Sequence, residues 1–241
     1  MTYYFITGTS RGLGRSMALK LLEKQDSRVV GISRSATIMH DGYTHLYIDL
    51  SDPKQVIDSA GDIFPQIIGA DKIVLINNAG TLGQVGYLGN LDSSNLSQAL
   101  LVNLVAPAVL TNEFIKAYKN TPVHKTIINI STGAAKQPVD GWAGYCSSKA
   151  GLDMLTQVGA KEAKFHHEDI NHYAISPGII DTEMQDEIRK VTREDFSRLD
   201  EFIEYKKENM LLSPDKVAEQ VLQILDEEEK IKKPLVSVRE L

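Results

Sequence analysis

The sequence predicts an α/β fold: one doubly wound domain over residues 1–241, its parallel sheet of seven strands covered by helices on both faces. Three observations predict it. Short apolar, β-branched runs alternate with segments of helical spacing from one end of the chain to the other. The strand runs are apolar almost throughout, as strands buried on both faces must be. No internal repeat, Pro/Gly-rich linker or low-complexity stretch divides the chain.

The elements follow in order. YYFIT (3–7) reads as a buried strand. A Gly-rich turn leads from it into RSMALKLLEK (15–24), where Met17, Leu21 and Leu22 share one helical face. RVVGIS (28–33) and THLYI (44–48) are the next strands. Asp52-Pro53 starts a helix, with Asp52 as N-cap and Pro53 at the first helical position. KIVLI (72–76) and KTIINI (125–130) are strands separated by a long helical stretch over about 95–119. A helix over about 143–165 leads to the strand NHYAIS (171–176). Ser213-Pro214 starts a helix to about Asp226, and PLVSV (234–238) is the last strand. Residues from about 181 to 212 are charged and helical in composition, and read as an inserted flap.

The 42% apolar and 24% charged residues match an ordinary globular protein. No apolar run approaches the roughly 20 residues that span a bilayer. MTYYFITG enters a strand without a basic leader or cleavage site, and Cys146 is the single cysteine. Both features predict a cytoplasmic protein. A net charge of -6 argues against nucleic-acid binding and leaves a small molecule as the expected partner. His166-His167 lacks the spaced partners of a metal site, and Glu227-Glu228-Glu229-Lys230 reads as a solvated helix terminus.

TGTSRGLG (7–14) sets Gly8, Gly12 and Gly14 between the first strand and the first helix. The spacing is G-x-x-x-G-x-G, where the common fingerprint is G-x-G-x-x-G, but the physics is shared. Glycines allow a tight turn and close backbone approach, while the helix N-terminus offers N–H groups and a positive dipole end to a pyrophosphate. A Rossmann-type dinucleotide site follows, with Ser10, Arg11 and Leu13 in the same loop. About 20 residues further on, an NAD site carries an acid for the ribose hydroxyls. Here GISRSA offers Ser33 and Arg34. A guanidinium binds a 2′-phosphate that a carboxylate would repel, so Arg34 and Arg11 point to NADP(H). The competing reading leaves both arginines solvated. Asp49, followed by Leu50, either accepts a hydrogen bond from the adenine edge or is a turn residue before the next helix.

YCSSK sets Tyr145 and Lys149 four apart on one helical face. An ammonium beside the phenol favours the phenolate and draws the tyrosine pKa toward neutrality. TGTSRGLG, NNAG (77–80), Asn103, a hydroxyl on the IINI strand, Tyr145 with Lys149, and SPG (176–178) occur in a telling order. Their spacing resembles that of the classical short-chain dehydrogenase/reductases over almost the whole chain. GWAGYCSSKAGLDM and SPGIIDTEMQDEIR resemble the sepiapterin reductase and benzil reductase branch.

The resemblance implies reduction of a carbonyl compound with NADPH. Tyr145 would give a proton to the developing alkoxide, and Lys149 would lower its pKa and hydrogen-bond the nicotinamide ribose. Asn103 would hold a water linking Lys149 to solvent, and the strand hydroxyl would bind the carbonyl oxygen. Asn78, Ala79 and Gly80 would line the adenosine side. Pro177, Gly178, Ile180 and Thr182 would meet the nicotinamide end. A homodimer or homotetramer built on the two long helices is implied as well. Read without the resemblance, Asn103 is a buried polar residue satisfied by backbone groups, and Pro177-Gly178 is a strand-ending turn.

The family's catalytic serine lies thirteen residues before the tyrosine, a position held here by Thr132, with Ser131 one residue earlier. Strand alternation turns adjacent side chains to opposite faces, so Thr132 is assigned to the carbonyl oxygen. Ser131 could take over only through a local bulge. Trp142 and Tyr145 favour a flat or aromatic carbonyl substrate; the competing reading is that Trp142 is simply buried. Met184, Ile188, Phe196, Leu199, Phe202 and Met210 of the flap either close an apolar pocket or pack as an amphipathic helix on the core. Sepiapterin reductases carry an aspartate in the last strand where Ser237 stands here, which favours a diketone over a pterin. A 3-oxoacyl-thioester reductase or alcohol dehydrogenase is the competing enzyme, and a dinucleotide-sensing regulator is the alternative of another class.

Overall fold

The computed structural model describes residues 1–239. The first half contains β1 (Thr2–Thr7), α1 (Gly12–Leu22), β2 (Ser27–Ser33), β3 (Tyr43–Tyr47), α2 (Pro53–Asp58), α3 (Ala60–Ile63), β4 (Lys72–Asn77), α4 (Ser93–Leu100) and α5 (Ala106–Tyr118). Then come β5 (His124–Ile130), α6 (Ala143–His166), β6 (Ile170–Ser176), α7 (Glu183–Ile188), α8 (Leu199–Lys207), α9 (Pro214–Asp226) and β7 (Leu235–Ser237). All seven strands pair in parallel in the order β3-β2-β1-β4-β5-β6-β7, the doubly wound arrangement that the alternating pattern predicts. Along β1, Tyr4 and Ile6 face one core and Phe5 the other; on β4, Val74 and Ile76 separate from Ile73 and Leu75 in the same way. One core lies under α1 and α9, the other under α2, α3 and α5. The second is built around Phe5, Phe64, Phe114 and Tyr118, which meet largely edge-to-face, 5.1 Å apart for Phe5 and Phe64. Each such fully buried side chain contributes about 1.5–3 kcal/mol.

Local chemistry sets the element ends. The Asp52 carboxylate accepts from Gln55 N at 3.0 Å and Pro53 opens α2, as the sequence predicts. Gly31 interrupts the β-branched run of β2 for a reason outside the strand. A side chain there would meet Tyr43 OH at 2.0 Å and Thr9 Oγ1 at 2.5 Å. Those two hydroxyls hydrogen-bond across it at 2.8 Å, and Tyr43 OH also bonds His45 Nδ1 at 2.8 Å.

Two expectations need correction. The stretch 95–119 is not one regular helix, because a single π turn, Leu101–Val105, joins α4 to α5. Pro107 accounts for it: a proline has no N–H to return to the carbonyl four residues back, that of Asn103, and its ring crowds that oxygen. Ala106 N bonds Leu101 O instead, the wider i→i+5 spacing. The whole of Ser93–Tyr118 is also long and apolar enough to cross a bilayer by length and composition. Here its apolar positions, Leu110 and Phe114 among them, pack into the second core.

The second correction concerns Glu228, read from sequence as part of a solvated helix end. A 3-10 turn, Glu228–Lys230, carries it beneath the N-terminal ends of β4, β5 and β6. Its carboxylate accepts from Lys72 Nζ at 2.6 Å, His124 Nε2 at 2.8 Å, Thr126 Oγ1 at 2.7 Å and Asn171 Nδ2 at 2.6 Å. Burial pushes this carboxyl up, but those bonds outweigh it and hold its pKa down at about 2.

Candidate active site

The strand order reverses between β1 and β4, and a cleft of about 1180 Å³ opens beyond the carboxyl ends of the strands at that switch point. The loop after β1 crosses it. Gly8 has φ +73° and lies so close to the loop after β4 that a Cβ would sit 3.0 Å from Ala79 Cα. Thr7 and Asn78 lock the two loops together. Thr7 Oγ1 accepts from Asn78 N and Ala79 N, both at 2.9 Å, and Asn78 Nδ2 donates to Thr7 O at 2.9 Å. Gly14 does not line the cleft. It is a packing glycine, because a Cβ would fall 2.3 Å from Gly8 O. Arg11 at the N-cap of α1 makes no side-chain capping bond, so the first-turn N–H groups have no side-chain acceptor. Glycine cradle and uncapped helix end together fit a dinucleotide pyrophosphate.

At one end of the cleft lie Ser33, Arg34, Asp49 and Leu50, with Ser10, Gly12 and Leu13 beside them. Asp49 lines the cleft and also closes a turn. Its carboxylate accepts from Ser51 N at 2.9 Å and Ser51 Oγ at 2.8 Å, and these bonds, with the Arg34 charge, hold its pKa low. Arg34 makes no ion pair among the described residues. Arg11 departs from expectation, since its guanidinium pairs with Glu183 of α7 across the cleft. Asn78, Ala79 and Gly80 line the middle, and Pro177, Gly178, Ile180 and Thr182 the far wall.

At the floor, Tyr145, Lys149 and Thr132 converge. Lys149 is buried, and its Nζ donates to Ile130 O at 2.7 Å. Burial draws its pKa down to about 8, with Asp153 opposing. Burial also pushes the Tyr145 phenol up to about 12, only partly offset by the neighbouring Thr132 hydroxyl. This corrects the expected lowering of the tyrosine. The lysine is turned to a carbonyl, and desolvation of a would-be phenolate dominates. Thr132 is extended and half-buried, its Oγ1 accepts from Ala134 N at 3.3 Å, and its hydroxyl lies beside that of Tyr145. Ser131 is buried and donates to Asp153 on α6. Asn103 lies behind the wall. Its amide donates to Thr81 O at 2.8 Å and Ser148 Oγ at 3.2 Å, and its Oδ1 accepts from Thr81 N at 2.8 Å. Its side-chain amide is thus satisfied within the protein.

The matching family model, short chain dehydrogenase, covers residues 3–193. This chain is a short-chain dehydrogenase. Over 239 residues the dehydrogenase is 39% identical to a Bacillus cereus benzil reductase ((S)-benzoin forming), spanning 95% of this chain and 96% of the relative. Against the Mus musculus sepiapterin reductase it is 32% identical over 209 residues, 78% of each chain. A Saccharomyces cerevisiae short-chain dehydrogenase/reductase structure superposes with a TM-score of 0.81 at 24% identity, covering 99% and 96% of the two chains. Family membership makes the protein an oxidoreductase.

In the dehydrogenase the flap folds as α7 and α8 and docks over the floor. Trp142 stacks on Phe196 (5.3 Å, 16°) and meets Tyr145 (5.6 Å) and Phe202 (5.5 Å) edge-on. Ile188, Phe196, Leu199 and Phe202 are buried there with Leu82, and Met184 packs beside them. Met210 does not join them and stays 59% exposed, because it follows the end of α8. Trp142, Met184, Ile188 and Phe202 reach the cleft wall. Sequence reasoning missed Leu82, Val102, Val139, Lys136, Arg198 and Arg239, which line the cleft too. Leu82 follows NNAG closely enough to have been inferred, whereas Arg198 arrives only by docking of the flap.

Proposed function

We propose that this dehydrogenase is an NADPH-dependent carbonyl reductase acting on a diketone such as benzil, with Tyr145 as proton donor. One observation carries the reading: the Tyr145 phenol and the Thr132 hydroxyl meet at the cleft floor beneath an apolar, aromatic lid. When bound, NADPH supplies the hydride. Tyr145, kept as a phenol across the neutral range, gives its proton to the carbonyl oxygen as negative charge develops there. Thr132 donates to the same oxygen, a contact that strengthens as that charge grows. Lys149, tied to Ile130 O behind Tyr145, is the group that would hydrogen-bond the nicotinamide ribose. The Asn103 main-chain carbonyl, deprived of a helical N–H by Pro107, is the group suited to hold a water toward Lys149. The flap excludes bulk water from the developing charge.

Arg34 supports a 2′-phosphate and hence NADP(H); the exposed Arg11–Glu183 pair is weak enough for a phosphate dianion to compete with. Ser237 lines the cleft where a pterin-binding relative would need an acid, which favours the diketone. Met154, Val158 and Phe165 form an exposed apolar stripe on α6, and on it we place the contact of a homodimer or homotetramer. The same reading places the enzyme in the cytoplasm, with a small molecule rather than nucleic acid or membrane as its partner. Following NADPH oxidation by absorbance with benzil, sepiapterin and an acetoacetyl thioester in parallel tests the proposal. Fastest turnover of benzil supports it. Preference for the thioester makes it a 3-oxoacyl reductase, and tight NADPH binding without turnover makes it a sensor.

A further inference from the structure

Ser131 and Asp153 lie one layer behind the reacting groups, and the reduction as written leaves them without a part. The Ser131 hydroxyl donates to the Asp153 carboxylate, and both side chains are buried. One helical turn earlier on the same face of α6, Lys149 donates to Ile130 O. Two successive turns of α6 are therefore tied to two successive residues at the end of β5, immediately before Thr132. Burial raises the Asp153 pKa, so its charged form depends on hydrogen bonds and opposite charge, and few groups face it. They are the Ser131 hydroxyl just after β5, Lys136 from the turn that follows, and Lys149 on its own helix. Around the Lys149 ammonium, β5 offers the Ile130 carbonyl, α6 offers Tyr145 and Asp153, and the walls after β4 and α4 offer only the uncharged Gly80 and Asn103. The Cys146 thiol is turned to Val139 O instead, at 3.9 Å. Among the described residues, Asp153 is the anion whose field reaches Lys149.

We propose that Asp153, held by Ser131, is a positioning residue for the reduction: it keeps Lys149 an ammonium and fixes Thr132 against the helix that carries Tyr145. The inference rests on the reading of Tyr145, Lys149 and Thr132 as a carbonyl reductase site. Without such a charge, the buried lysine loses its proton at lower pH.

The test compares the full-length parent with Asp153→Asn and Asp153→Ser, which remove the charge, and with Asp153→Glu, which keeps it. Circular dichroism melts identify the folded variants, and two uncharged replacements guard against one failing to fold. The kcat for benzil reduction with NADPH is followed from neutral to alkaline pH. The basic limb, near pH 8 in the parent, moves about one unit lower in both uncharged variants and stays in place in Asp153→Glu. Basic limbs that superimpose in all folded variants overturn the inference and leave Asp153 a packing residue. A parent that reduces no carbonyl overturns the reading of the site instead. NADPH affinity against pH, read by the fluorescence of the single tryptophan, Trp142, then decides the inference separately. An alkaline decline that sets in about one unit earlier without the Asp153 charge sustains it, and an unmoved decline refutes it.

Discussion

Removing the hydroxyl of Thr132 isolates the contact on which the proposed chemistry turns. In the folded chain its Oγ1 spends one lone pair on Ala134 N at 3.3 Å, leaving the O–H as a donor toward the cleft beside Tyr145. A preorganised donor of this kind, aimed at developing negative charge in a water-poor site, contributes about 3–4 kcal/mol to the transition state. Thr132→Ala therefore lowers kcat/KM by roughly a hundred- to a thousandfold. Loss of its cap on the short turn Gly133–Ala135 costs stability of about 1 kcal/mol at most, so the variant stays folded. Thr132→Ser restores the donor without the methyl group and keeps activity within about threefold of the parent. Ser131→Ala stays within about tenfold at neutral pH, because its hydroxyl points to Asp153 rather than the cleft. Steady-state reduction of benzil by the four proteins, with thermal melts alongside, is the assay. A Ser131→Ala variant that loses the hundredfold while Thr132→Ala keeps its rate would refute the assignment and the alternation argument behind it.

Three further outcomes follow from the same geometry. Reduction holds steady through neutral pH and declines above about 8, as Lys149 loses its proton, whereas alcohol oxidation needs the Tyr145 phenolate and climbs with pH up to about 8, where the loss of the Lys149 proton limits it; parallel pH profiles in both directions show whether the two differ. Arg34→Ala weakens NADPH binding about tenfold and leaves NADH unchanged, as calorimetry with each cofactor would show, since only the former carries a 2′-phosphate to pair with. Glu228 has its folded pKa near 2, below its ordinary 4.5, so its stabilisation is present above pH 4.5 and is lost as pH falls toward 2. That difference corresponds to roughly 3 kcal/mol, and Glu228→Gln should remove most of it at neutral pH and flatten the acid side of a melting-temperature profile.

Much of the fold was legible because it rests on local periodicity. The apolar runs of β1, β4 and β5 alternate between two cores, and Asp52-Pro53 caps α2 through atoms three residues apart. What the sequence read wrongly lies where distant segments meet. Glu228 looked solvated within its own charged run, yet its partners Lys72, His124, Thr126 and Asn171 sit on three strands far away in the chain. The π turn at Leu101–Val105 had a readable cause in Pro107, but a periodicity of 3.6 passes over one widened turn.

By itself the sequence determined the fold class, the family through ordered motifs, and which of two adjacent hydroxyls faces away, since a strand alternates whatever surrounds it. Tertiary structure alone decided the protonation of the floor. Residues Tyr145 and Lys149, four apart on a helix, suggest a lowered tyrosine, but burial of both and the turn of Lys149 to Ile130 O hold the phenol protonated instead. It also decided that Arg11 meets Glu183, that Phe196 stacks on Trp142, and that Asp153 stands behind Ser131. Desolvation and long-range charge depend on what the rest of the chain packs around a group, and neither is encoded in the spacing of nearby residues.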